Sequence, residues 1–174
     1  MNRNNPQKAK VGNYCTISDD VELGEDVVIC GFVNLYGCRI GKGSHIGTFV
    51  EIQKGVVVGK GVRIQSHSFI CSGVQVEDDV FIGHNVTFVN DRYPTSLKAA
   101  KNRWTLESTK IQRGASIGSG AVILCGVEIG QGAVVGAGSV VNKNIPPHTI
   151  VAGVPAQFVK LISPDDRWMG GEKK

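Results

Sequence analysis

Large apolar residues return at every sixth position from Ile40 to Phe88: Ile40, Ile46, Ile52, Val58, Ile64, Ile70, Val76, Ile82 and Phe88. Four residues after each large position comes a small or β-branched one: Ser44, Val50, Val56, Val62, Ser68, Val74, Val80 and Val86. A six-residue period matches neither a helix nor a plain alternating strand, so it marks an internal repeat. Each hexad reads as a short strand plus a corner. Both marked positions point inward, because positions an even number apart share one side of a strand. One such strand cannot bury its apolar side alone. Three close a triangular turn, and stacked turns about 4.8 Å apart share a core, which is a parallel β-helix. Glycines after the large position, at Gly41, Gly47, Gly59 and Gly83, suit tight corners. Fully burying each Val or Ile contributes roughly 1.5–3 kcal/mol. A β-sandwich is the competing architecture, and it would space its strands irregularly.

The repeat begins at Val11 and runs through Ile17, Leu23, Ile29 and Leu35, with inward partners Cys15, Val21, Val27 and Val33. The step from Leu35 to Ile40 is five, so one corner, around Tyr36, Gly37 and Cys38, is a residue short. Val89 to Lys110 carries no hexads but holds Tyr93, Trp104 and charges of both signs. A structureless stretch of about 20 residues is usually functional or disordered. The aromatic residues favour an ordered excursion packed over the tube or a neighbouring copy. The repeat resumes at Ile111, Ile117, Ile123, Ile129, Val135 and Val141, with Ile145 as the last inward partner. That makes twenty hexads, between six and seven coils. Pro146 and Pro147 are expected to stop it, since proline cannot donate to a ladder. Gly153 to Ala156, then Phe158, Val159, Leu161 and Ile162, are expected to cap the open end. Ser163 and Pro164 have the residues of a helix start. The domain is thus 1–162, with an excursion at 89–110 and a tail at 163–174.

The 174 residues suffice for one domain, and 41% hydrophobic content makes it globular. A net charge of +4 without a clustered basic run favours anionic ligands and argues against nucleic acid. The five cysteines are irregularly spaced and read as free thiols in a reducing compartment. The polar start lacks the apolar core of a secretory signal, and no apolar span is long enough for a bilayer. A cytoplasmic location is the expectation.

The hexads, together with the ending GAGSVVNKNIPPHTIVAGVPA, resemble the hexapeptide-repeat acyltransferases, over Val11 to Lys160. The resemblance implies an all-β, left-handed parallel β-helix, and the handedness comes from it alone, since most parallel crossovers are right-handed. It also implies homotrimers that bind acyl-CoA between neighbouring copies. FIGHNVTFVNDRYP, RWTLES, VNLYGCRIG and FVEIQKG are similar to one subgroup, the N-acetyltransferases of nucleotide-linked amino-deoxy sugars (dTDP or UDP) in surface-polysaccharide synthesis. Sugar and serine O-acetyltransferases are the nearest competitors. In the galactoside type a histidine stands just before a proline after Asn-Val-Thr. Here Tyr93 precedes Pro94, which favours an amine acceptor.

Acetyl transfer to an amine needs a proton acceptor, donors for the oxyanion and a leaving thiolate. Histidine is the usual acceptor near neutral pH. His84 and His67 are 17 residues apart, close to one coil, in hexads of one face. His84, before the strand that leads into the excursion, is the candidate base or amine-orienting group, with His67 beside it on the substrate side. A corner histidine is the plain alternative for each. His45 reads as an exposed corner and His148 as structural or solvated. Asn90 and Asp91 open the excursion and are candidates to hold the sugar or amine, though Asn-Asp also favours turns. For acetyl-CoA, the resemblance puts Ser119 and Ala137 along the pantetheine arm. It puts Asn142 and Lys143 near the adenosine and Lys160 on a phosphate. Asn34, Tyr36, Glu51 and Gln53, on outward positions, are candidates for the sugar or nucleotide. No metal is expected, because the paired histidines of the zinc enzymes of this fold are missing. A non-enzymatic or ice-binding scaffold would repeat threonine in register, and the outward positions here are mixed.

Overall fold

The computed structural model describes residues 9–101 and 103–163. Hexad after hexad forms a strand of two or three residues. The strands stack into three sheets, the faces of a left-handed parallel β-helix of about eight turns. The first face runs from Lys10–Val11 through Val28–Ile29, His45–Ile46, Arg63–Ile64, Phe81–Ile82 and Ser116–Ile117 to Val134–Val135. The second runs from Thr16–Ile17 through Asn34–Leu35, Glu51–Ile52, Phe69–Ile70, Thr87–Phe88 and Val122–Ile123 to Val140–Val141. The third runs from Glu22–Leu23 to Glu128–Ile129.

The register follows the hexads. Ile29, Ile46, Ile64, Ile82, Ile117 and Val135 pair in succession on the first face. All are buried, as are their smaller partners. Three serines inside the tube are satisfied, Ser139 Oγ by accepting from Gly153 N at 3.1 Å. Ser44 Oγ donates to Gly59 O at 2.9 Å and accepts from Val62 N at 3.0 Å, and Ser68 Oγ does the same with Gly83 O and Val86 N. Buried hydroxyls so paired cost little. At the short corner the buried Cys38 takes the inward place, and Gly37, at φ +55, makes the tighter bend.

Three expectations are corrected. The repeat does not stop at the prolines. Ile145 lies only four residues after Val141 and bridges Ile129 in parallel, so it opens a hexad rather than closing one. Thr149 and Val151 complete that hexad, both buried, and Thr149–Ala152 adds an eighth parallel strand to the first face. Pro146 and Pro147 sit in the corner between, where no ladder donor is required. The C-terminal apolar residues do not close the tube. Gln157–Leu161 pairs antiparallel with Thr149–Ala152, leaving Phe158, Val159 and Leu161 exposed. The turn before that strand reaches over the end instead, where Ala156 N donates to Val140 O at 2.8 Å and Ala156 is buried. Finally, His45 is no exposed corner: it lies in the strand His45–Ile46, half-buried. The proposed helix start has Ser163 inside the described residues and Pro164 onward outside them.

The excursion leaves the corner between the second and third faces and returns to it at Thr109–Ile111. It carries one short helix, Ser96–Ala100, capped by Thr95 Oγ1 accepting from Lys98 N at 3.2 Å and burying none of its residues. No helix among the described residues is long and apolar enough to cross a membrane.

Candidate functional site

The corner between the first and second faces carries two neighbouring columns. One holds Tyr14, Phe32, Phe49, His67, Asn85, Gly120 and Gly138, all at positive φ. The first four side chains stack, with centroids 5.1, 5.1 and 4.8 Å apart. The spacing of 18, 17 and 18 along the chain announces this column, which the inward pattern alone does not reveal. The residues just before it stack too, and His84, Ser119 and Ala137 occupy successive turns. His84 N donates to Ser119 Oγ at 3.1 Å, His84 O accepts from Gly120 N at 2.7 Å, and Ser119 O accepts from Gly138 N at 2.8 Å. His84 is exposed. Above Asn85 the first column has only glycine, and a Cβ on Gly138 would meet nothing within 4 Å. A groove bare of side chains therefore runs beside Ser119 and Ala137 and ends at His84. His67 and His84 share the corner on adjacent turns, but His67 faces Asn85 in register and stacks on Phe49.

The other end of the second face holds a polar chain. Tyr36 Oη and Gln53 Nε2 each donate to Glu51 Oε1 at 3.1 Å. Gln53 Oε1 accepts from Ser72 N at 3.2 Å, and Asn90 Nδ2 donates to Ser72 O at 3.4 Å. Asn34 pairs with Glu51 in register. Tyr36, Glu51, Gln53 and Asn90 are half-buried although they point outward. Burial first, then the bond to Glu51, pushes the Tyr36 phenol up, so it stays a donor. Asn90 offers its donor to Ser72, which turns its oxygen outward. Asp91 is buried: Oδ1 accepts from Tyr93 N at 3.0 Å and Oδ2 has no partner among the described residues.

Sequence reasoning missed the clamp that holds this corner. Arg92 forks onto Glu107 at 2.8, 3.2 and 3.3 Å and donates to Cys125 O at 3.1 Å. Glu107 N donates to Asn90 O at 3.1 Å, and Leu106 lies over Gly73, where a Cβ would come within 3.0 Å. The Arg92 guanidinium holds the Glu107 carboxyl below its ordinary value. Opposite charges at either end of the excursion were the available signal. Tyr93 and Trp104, expected to pack, stay exposed.

The remaining residues are spread out. Asn142 and Lys143 lie exposed at the corner after Val140–Val141, and Lys143 edges a cavity of about 270 Å³ with Ile145, Thr149, Phe158 and Leu161. Lys160 lies in the last strand, opposite Ile150. His148 is an exposed corner residue at φ 52. The hollows of the third face, about 430 and 290 Å³, are framed by paired charges such as Lys110–Glu77 at 2.9 Å and Arg39–Glu22 at 3.1 Å. Among the described residues no group of three or more His, Cys, Asp or Glu is placed to hold a metal.

The profile of the family described as bacterial transferase hexapeptide (six repeats) matches residues 37–72 and 108–143. Those two segments are similar to the hexapeptide repeats of that family. A hexapeptide-repeat acetyltransferase of Vibrio cholerae O1 biovar eltor, solved in complex with acetyl coenzyme A, is 25% identical. The match covers 74% of this chain and 72% of that one, with a TM-score of 0.65. Soybean serine acetyltransferase, solved with serine, is 33% identical over 63% of this chain and 42% of its own, at TM-score 0.53. A serine acetyltransferase of Buchnera aphidicola is 39% identical over 68 residues. The match covers 39% of this chain and about a quarter (24%) of the length of that curated relative.

Proposed function

We propose that this hexapeptide-repeat chain moves acetyl from acetyl-CoA to the amino group of a nucleotide-linked (dTDP or UDP) amino-deoxy sugar. It does so as a homotrimer in the cytoplasm, in the synthesis of surface polysaccharide. The observation that carries the reading is the bare groove along Ser119 and Ala137 that ends at His84. The Vibrio cholerae transferase similar to this chain binds acetyl-CoA, which supports the same donor here. The pantetheine arm lies against backbone at Ser119 and Ala137, the adenosine near Asn142 and Lys143, and a phosphate at Lys160, where lysine acts as a point charge. His84 takes the proton that the amine loses as it attacks the thioester carbon. Backbone N–H groups face the oxyanion, and the coenzyme leaves as its thiol. The acceptor lies along Asn34, Tyr36, Glu51 and Gln53, with His67 at its edge. The outward oxygen of Asn90 accepts from the amine, and Asp91 fixes the turn.

One observation favours a second reading, O-acetylation of serine or a sugar: two of the similar proteins are serine acetyltransferases. Thiol release measured against nucleotide amino sugars and plain alcohols separates the two. Turnover with amines alone is expected, and turnover with alcohols alone would establish the rival. His84→Ala should lower turnover by about 10²–10⁴-fold and leave coenzyme binding intact. Unchanged turnover would remove His84 from the reaction.

A further inference from the structure

We propose that Cys30 is a reactive thiol, served by His45 as its proton acceptor, that exchanges with low-molecular-weight disulfides. The Cys30 sulfur and His45 Nε2 lie 3.3 Å apart, and both residues are half-buried rather than sealed in the core. A nucleophile and a base within hydrogen-bond reach are the elementary requirement for an activated thiol. Arg63 stands opposite His45 on the next turn of the first face. On the turns before and after Cys30 its own column holds Gly12 and Gly47, neither of which carries a side chain.

The other four thiols lack this arrangement. Burial pushes Cys38 and Cys71 up to about 11 and raises Cys125 as well. Cys15 directs its S–H at backbone oxygens, Cys30 O at 3.1 Å and Asn13 O at 3.7 Å. Among the described residues, only Cys30 of the five cysteines lies against a side-chain nitrogen able to take its proton.

The exchange balances without an added oxidant. His45 accepts the Cys30 proton and the thiolate attacks one sulfur of the disulfide. The S–S bond breaks, and the leaving thiolate takes the proton from His45. Cys30 ends as a mixed disulfide and one small thiol is released. Cys30 lies three turns from Gly83, about 14 Å away along the same corner, so the modification is distinct from the acetyl-transfer groove.

The folded protein is mixed with 5,5′-dithiobis(2-nitrobenzoate), then with coenzyme A disulfide and with glutathione disulfide, and the modified peptide is identified by mass. One fast equivalent at Cys30 is expected with the aromatic probe and with at least one natural disulfide. The two natural arms show which source is preferred. Cys30→Ser should abolish the fast phase, Cys15→Ser should keep it, and His45→Gln should slow it about tenfold. Brief iodoacetamide labelling of the unaltered chain, which requires no variant to fold, should mark Cys30 first. A fast phase that survives Cys30→Ser, one indifferent to His45→Gln, or first labelling at another cysteine would overturn the proposal.

Discussion

Phe49 holds φ at 60, a region that costs an ordinary L residue about 1–2 kcal/mol. Its ring lies between Phe32 and His67, and each aromatic stack contributes about 0.5–1.5 kcal/mol beyond area burial. The two effects have opposite signs and similar size, which makes substitutions here informative. Phe49→Ala keeps the backbone cost and loses both stacks, so urea unfolding should show a loss of roughly 1–3 kcal/mol. Phe49→Gly loses the stacks but relieves the backbone, so it should lie between alanine and the parent. This inverts the ordinary order, in which glycine in a strand is worse than alanine by roughly 0.5–1 kcal/mol. An alanine variant more stable than the glycine variant would show that the corner is not strained. The inward residues were legible because one rule, large then small, governs each of them. The corner residues obey a second rule with a period of a whole turn, and that period slips by one at the short corner after Leu35. The pairing of Cys30 with His45 obeys neither rule, because it joins a corner to the strand one turn on, and nothing in the sequence spacing marks it.

At the scale of elements, the excursion is the part that the repeat does not specify. Its helix, Ser96–Ala100, buries nothing and is far too short to stand alone. The segment is therefore held at its base, by the Arg92–Glu107 fork and by Arg92 on Cys125 O. Glu107→Gln should raise amide exchange from Asp91 to Lys101 while strands such as Ile64 and Ile82 keep their protection. Equal protection in both proteins would mean the fork is incidental. Acid should act in the same direction. The folded Glu107 carboxyl titrates below its ordinary value, so its contribution is complete above that value and is lost as pH falls through the lowered one. Protection factors corrected for intrinsic exchange should fall in acid for the parent, and the Glu107→Gln variant should lack that dependence. The excursion's position was legible from the lost hexads. Its clamp left only the opposite charges of Arg92 and Glu107 as a signal, since an ion pair across 15 residues has no periodic trace. The extra strand after the prolines was in principle visible, because Ile145, Thr149 and Val151 repeat the hexad spacing. Counting Ile145 as the end of one hexad instead of the start of the next concealed it.

At the scale of the whole molecule, His84 and Asn90 sit at opposite corners of the second face, six residues or roughly 20 Å apart along an extended strand. Acyl transfer requires the reacting atoms to approach within about 3–3.5 Å. If both residues serve one reaction, His84 of one copy must meet Asn90 of a neighbour. A closed ring in which the same pair of surfaces recurs at each seam satisfies this. The consequence can be tested with two inactive proteins. His84→Ala and Asn90→Ala should each transfer little acetyl alone. Refolded together into mixed assemblies, they should recover about a quarter of parental activity, because one seam in four then pairs an intact His84 with an intact Asn90. The recovery should disappear when the two proteins are mixed without unfolding, as long as the assemblies do not exchange copies. Mixed assemblies verified by mass that show no recovery would mean that His84 and Asn90 do not meet across a seam, and the reading of Asn90 as the amine's acceptor would fall with it.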